Sequence, residues 1–158
     1  MKLIDVLKPE YIKYPLQNKS KVEVIQELIH LLHINKVIPE EKTILNAVLE
    51  REKIMTTGVG NGVAIPHCKH PECQQFAIAL GIHPEGVDFQ SIDNQPARII
   101  FLLVGPEDQP GLHIRLLSRI SRIISKEETR IRLLQLTTPK RIYQFFKEEE
   151  AKFFEMNA

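Results

Sequence analysis

Charge of one sign, cysteine and long apolar runs are all scarce in this chain of 158 residues, and each scarcity excludes a class of protein. Lys and Arg number 21 against 20 Asp and Glu, a formal net charge of +1. A protein whose affinity comes from a phosphate backbone needs far more positive charge, so no nucleic-acid partner is expected. Cys68 and Cys73 are too few and too closely spaced for a secreted disulfide framework, and reduced thiols are the default. The longest apolar stretches, such as Ile99 to Val104, fall far short of the ~20 residues of a membrane-spanning helix. The opening segment, Met1 to Pro9, carries charges inside its apolar run and lacks a cleavage site, so a soluble, cytoplasmic protein is expected. No internal repeat or Gly/Ser-rich linker divides the chain, and one domain over residues 1–158 follows.

What is present is an ordinary globular composition, 43% hydrophobic and 26% charged. At this length folding buries roughly 68–70% of the unfolded surface, enough for a core without staples. Ser20 with Glu23 forms a capping-box signature, and Val24, Ile25, Leu28, Leu31 and Leu32 then recur at helical spacing, which predicts a helix over about 20–35. Pro39 suits a first helical position, and Ile44, Leu45, Val48 and Leu49 predict a second helix running on to Arg51 and ending before Gly58. Val63–Ile65, Phe76–Ile82 and Arg98–Val104 read as short buried strands. A third helix starts near Pro110, and Ser125 with Glu128 and Thr138 before Pro139 mark two more. Helices, strands, then helices predict an α+β single domain with a sheet covered by helices, rather than strict alternation.

Three of the seven glycines, Gly58, Gly60 and Gly62, fall within five residues after Thr56 and Thr57. Such a run lets backbone N–H groups approach an anion, yet the spacing matches neither phosphate-binding motif, and a turn feeding a strand explains it equally well. His67 follows Pro66 at the end of the strand, and an imidazole with a pKa near 6.5 is mostly neutral at pH 7, with a lone pair free to attack. His113 lies near the start of the third helix, at the margin of its apolar face, either as a boundary histidine or as a donor to an anion. Arg51 suits either capping of helix carbonyls or bidentate binding of a phosphate. His67, Cys68, His70 and Cys73 invite a zinc reading, but structural zinc sites draw ligands from two separated segments, so no metal is expected. Arg115, Arg119 and Arg122 form a stripe that is either a solvated face or a contact for an acidic partner.

These residues resemble the enzyme IIA components of the phosphoenolpyruvate-dependent phosphotransferase system, of the fructose/mannitol and nitrogen-regulatory type. The resemblance rests on Arg51–Glu52, on the run Thr57 to His67, on Gly86 to Phe89, Ile92–Asp93 and Gln95–Pro96, and on Phe101 to Val104 and Pro106–Glu107. It continues through His113, Leu116–Leu117 and Ile120 to Arg122, and so covers nearly the whole chain. It implies a mixed sheet between helical layers. It implies that His67 takes a phosphoryl group from the histidine-containing phosphocarrier protein, that His113 and Arg51 bind the phosphoryl oxygens, and that Thr57 with the backbone of Gly58, Gly60 and Gly62 completes the cradle. Neither metal nor nucleotide cofactor is implied. The onward partner is either a regulatory target, a membrane transporter among the candidates, or a IIB domain in sugar transport. The lack of a fused IIB or IIC segment leans toward regulation. Cys68-Lys69-His70 departs from the family's usual continuation, so the rim of the site is expected to differ in partner contacts or redox sensitivity.

Overall fold

In the longest buried strands the side chains alternate between two cores, one on each face of a sheet, and this alternation sets the architecture. The computed structural model describes residues 1–155. Its elements are α1 (Leu3–Val6), a 3₁₀ turn (Pro9–Tyr11), β1 (Ile12–Lys13), α2 (Lys21–Ile34), α3 (Glu41–Ile54), β2 (Gly58–Gly60), β3 (Val63–Ala64) and β4 (His67–Lys69). There follow β5 (Ala77–Val87), β6 (Ala97–Gly105), α4 (Pro110–Ile124), α5 (Glu127–Leu134), α6 (Pro139–Glu150) and a π-helical turn (Ala151–Glu155). Among the described residues the strands form one six-stranded mixed sheet in the order β1-β5-β6-β3-β2, with β4 also on β6. β6 is the hub, antiparallel to β5 and parallel to both β3 and β4.

Ile99, Phe101 and Leu103 of β6 join Ile78, Leu80 and Ile82 of β5 under the apolar stripes of α4 and α6. Ile100, Leu102 and Val104 face the other way, with Ala77 and Ala79, toward α2 and α3. The fold is therefore three layers, helix on sheet on helix, as the order of elements predicts. Burial on both faces explains why β6 reads as an unbroken apolar run. Each fully buried Ile, Phe or Leu in it contributes about 1.5–3 kcal/mol.

Local signals hold where their hydrogen bonds are made. Ser20 Oγ accepts from Glu23 N at 3.2 Å and caps α2, and Thr138 Oγ1 accepts from Arg141 N at 3.3 Å and caps α6. Pro39 is not a first helical residue, because α3 begins at Glu41; the helix does run through Arg51 and ends at Ile54, before Gly58. The reason lies at the end of α2. Lys36 adopts φ +62°, its N–H reaches His33 O and that of Val37 reaches Leu32 O, a Schellman motif that carries the chain through Ile38 before the next helix starts. Ser125 does not cap α5 either, since its hydroxyl donates back to Arg122 O at 2.8 Å and α5 starts only after Lys126. β1, β2, β4 and α1 are two to four residues long, too short for any periodicity to predict.

Candidate functional site

Pro66 has no N–H to give the sheet, so the ladder along β6 breaks between β3 and β4 and resumes with His67 paired to Leu103. Paired residues of neighbouring strands share a face, and Leu103 belongs to the core beneath α4. His67 is thereby aimed at α4, whose first turns carry His113. The two rings lie 5.4 Å apart at 57°, and Phe76 packs 6.1 Å from the His113 ring on another side. Residues 46 positions apart in sequence thus form one imidazole pair at the sheet's edge.

His67 Nδ1–H donates to the Ile65 carbonyl at 2.8 Å. That bond puts the proton on Nδ1 and leaves the Nε2 lone pair directed away from it. The pKa of His67 lies below the usual imidazole range, chiefly through burial, with the charges of Arg51 and Lys69 acting in the same sense against Glu52 and the Ile65 bond. His113 is 3% exposed, and neither of its ring nitrogens has a hydrogen-bond partner among the described residues. Burial first, then the charges of His67 and Lys69, pull it down to about 4. Both rings are neutral at pH 7, one a ready nucleophile and the other a neutral N–H donor beside it. An unsatisfied buried polar group costs about 1–3 kcal/mol, a penalty that an anion bound between the rings would relieve.

Arg51, near the end of α3, donates from Nη1 to Met55 O at 3.0 Å, so it caps the helix as its position suggests. Its charge is nevertheless felt at His67, and the guanidinium fork has further donors to offer. Capping the helix leaves Arg51 donors for an anion as well.

The glycine run behaves differently from the expected cradle. Thr57 Oγ1–H and Thr57 N–H both go to the Glu52 carboxylate, the latter at 3.2 Å, so neither of its donors faces His67. Gly58 N–H is taken by Thr56 Oγ1 at 3.1 Å, and a Cβ at Gly58 would stand 2.3 Å from Ser91 Oγ, so glycine is needed there for close approach of the chain. Gly60 and Gly62 do have positive φ, +96° and +77°, but the anion beside Gly60 is the chain's own Asp93, while Gly62 lies against the Pro96 carbonyl. Asn61 N and Gln95 N donate to that carboxylate at 2.9 and 3.1 Å and hold its pKa down. The carbonyl of Gly62 accepts from Ile99 N, four residues of strand from the His67 partner Leu103, roughly 13 Å at the usual rise. Gly60 and Gly62 are not brought to His67.

Strand alternation also undoes the zinc constellation. His67 faces the α4 side, whereas Cys68, paired with Val104, and Cys73 lie in the core on the α2 and α3 side. Burial pushes the Cys68 thiol up to about 12 and the Cys73 thiol up to about 11, so neither is a thiolate and the rim gains no redox sensitivity from them. Arg119 does not belong to a free stripe, because its Nη1 donates to the buried Glu150 at 3.0 Å. Sequence spacing missed Glu52 and Lys21, an ion pair of 2.7 Å whose side chains are only 6% and 14% exposed. It missed as well the Ile65 carbonyl that orients His67, since a backbone oxygen leaves no mark on a sequence.

Residues 5–149 match the family described as phosphoenolpyruvate-dependent sugar phosphotransferase system, EIIA 2. A fructose-specific EIIABC component of the phosphotransferase system from Bacillus subtilis is 36% identical over 135 residues, 85% of this chain and 21% of the relative, so the chain spans about a fifth of that protein. A nitrogen regulatory protein of Bradyrhizobium diazoefficiens is 34% identical over 128 residues, 81% of this chain and 83% of the relative. The crystal structure of nitrogen regulatory protein IIA-Ntr from Neisseria meningitidis superimposes with a TM-score of 0.86 at 27% identity, covering 91% of this chain and 98% of that one.

Proposed function

Because the chain belongs to the EIIA 2 family of the phosphoenolpyruvate-dependent sugar phosphotransferase system, we propose that it is a phosphoryl carrier in which His67 receives the group from the phosphohistidine of the histidine-containing phosphocarrier protein. The observation that carries this reading is the His67–His113 pair, with His67 Nδ1 tied to the Ile65 carbonyl. Nε2 attacks the phosphorus as the donor's N–P bond breaks, and the donor imidazole recovers its lone pair. The proton on Nδ1 stays where the Ile65 carbonyl holds it, so no proton need move during transfer. Such a reaction asks the protein for alignment and for donors around the equatorial oxygens. His113 supplies a neutral N–H, Arg51 a charge with fork geometry, and the first turn of α4 the positive end of a helix. A phosphoryl dianion between the rings raises the His113 pKa, so the hydrogen bond strengthens as the group arrives.

The role we favour is regulatory, in the cytoplasm, with a target that distinguishes the two phosphorylation states. It is supported by the match over most of both chains to a nitrogen regulatory protein and by the superposition on IIA-Ntr. The fructose-specific relative, at 36% identity, supports a second reading in which the group passes to a IIB domain during sugar uptake. Among the described residues no helix is long and apolar enough to cross a membrane.

Incubation with phosphoenolpyruvate, enzyme I and the phosphocarrier should give one acid-labile, base-stable phosphate per chain, lost in His67→Ala. Label retained in that variant would overturn the assignment of His67.

A further inference from the structure

Glu52 lies outside the imidazole pair, yet it is among the most committed polar side chains of the molecule. Its carboxylate is 6% exposed, receives Lys21 Nζ at 2.7 Å, and takes both donors of Thr57. Lys21 is fixed in turn by the Phe89 carbonyl and Gln90 Oε1, each at 3.4 Å, and stands 5.2 Å over the Phe89 ring. The Thr57 carbonyl accepts from Ile65 N at 2.9 Å, and the Ile65 carbonyl accepts from His67 Nδ1 at 2.8 Å. The carboxylate and the nucleophile's ring are therefore joined by an unbroken series of short hydrogen bonds through two backbone units.

We propose that Glu52 is a positioning residue for phosphoryl transfer: anchored by Lys21, it holds the Thr57 peptide, and through the Thr57–Ile65 bond it sets the carbonyl that orients His67. The proposal rests on the reading of His67 as the phosphoryl acceptor. A buried ion pair is weak grounds for stability alone, because desolvation of both charges offsets their attraction. An apolar pair would pack the junction of α2 and α3 as well, but it would leave the Thr57 N–H and hydroxyl unsatisfied and the Ile65 carbonyl free to turn. The charge has a second effect. Arg51 from α3 and Lys69 from β4 carry charges that disfavour protonation of His67, and Glu52 is the acidic group that opposes them.

The test uses Glu52→Gln and the double variant Lys21→Met/Glu52→Gln, which removes the lysine left unpaired by the first. Nitrogen NMR of the unphosphorylated protein across pH reads the His67 tautomer and midpoint directly, whether or not the protein carries phosphate. Both variants should show a smaller Nδ1–H fraction than wild type, and Glu52→Gln should also show a lower His67 midpoint, since a negative charge that favoured imidazolium is gone while the Lys21 charge stays. Transfer from the phosphorylated phosphocarrier should slow about ten- to a hundredfold, the usual result of a nucleophile misplaced by about 1 Å. The double variant should recover thermal stability relative to Glu52→Gln without recovering the tautomer or the rate. A wild-type Nδ1–H fraction in both variants, or a double variant that regains the wild-type rate along with its stability, would overturn the proposal. Wild-type protein that takes no phosphate on His67 would sink the carrier reading instead, with the NMR titration still deciding whether Glu52 holds the ring.

Discussion

His113 is buried as a neutral ring with both nitrogens unpaired among the described residues, and this state has consequences that pH and mutation can each expose. Its pKa is about 4 in the folded chain and near 6.5 when unfolded, so between these values the unfolded state binds the proton and the folded state does not. The stability it contributes is complete above about pH 6.5 and is lost as pH falls toward 4. His67, also held below the usual range, acts in the same direction. Melting temperature should therefore decline by several degrees from pH 7 to 4.5, and His113→Ala should flatten that decline. The same variant should slow phosphoryl transfer by ~10²–10³, the usual cost of losing one donor to a transferring group. Stopped-flow transfer kinetics at wild-type rate would reduce His113 to a packing residue. His67, held below the usual imidazole range, should lose less of its acceptance rate as pH falls from 8 toward 6.5 than an unperturbed imidazole would, as transfer kinetics across pH would read.

At the scale of elements, the loop from β2 to β3 shows how one sequence pattern serves a different end from the one it suggests. Beside Gly60, Asn61 N binds a carboxylate supplied by Asp93, which fastens the edge of the sheet to the chain that precedes β6. Asp93→Ala should free the Asn61 and Gln95 N–H groups and lower the melting temperature only slightly, since both face solvent once released. Transfer by His67, a strand's length away, should stay within about twofold of wild type. A large loss of transfer in thermal-shift-matched conditions would return the loop to the active site. Gly58→Ala should be far more damaging, because its Cβ would collide with Ser91 backbone and side chain alike and push apart the segment that carries Thr57.

For the whole molecule, the relevant quantity is a formal charge of +1 on 158 residues. A phosphoryl group adds about −1.5 to −2 at neutral pH, enough to reverse the sign of the molecule and, more sharply, of the surface around His67. A partner docking beside neutral His67 should meet repulsion or uncompensated charge after phosphorylation. Co-purification from lysate with unmodified protein, phosphorylated protein and His67→Asp should retain at least one partner in a single state if the role is regulatory. Identical partners in both states, with rapid dephosphorylation by a IIB protein, would favour sugar transport. The basic flank of this surface is narrower than the arginine spacing suggests, because Arg119 is bound to Glu150, which also accepts from Leu3 N at 2.5 Å and so ties α4 to both ends of the chain.

The amino-acid sequence by itself determined the layered class of the fold, the long helices and the two central strands, because these rest on periodicity and on capping residues that act within a few positions. It pointed as well to His67, His113 and Arg51, through residue type, neighbouring context and resemblance. Tertiary structure alone decided what those groups touch. The pairing of His67 with Leu103 sets which face it looks toward, and a shift of one residue would have sent it to the opposite core with Cys68. Only the fold brings Asp93 into the glycine turn and Lys21 onto Glu52, so an anion cradle legible as a pattern was filled from 32 positions away by Asp93. Such contacts are made by groups remote along the chain, and hydrogen bonds to backbone atoms carry no residue-type signal; their partners become fixed only when the sheet closes in register.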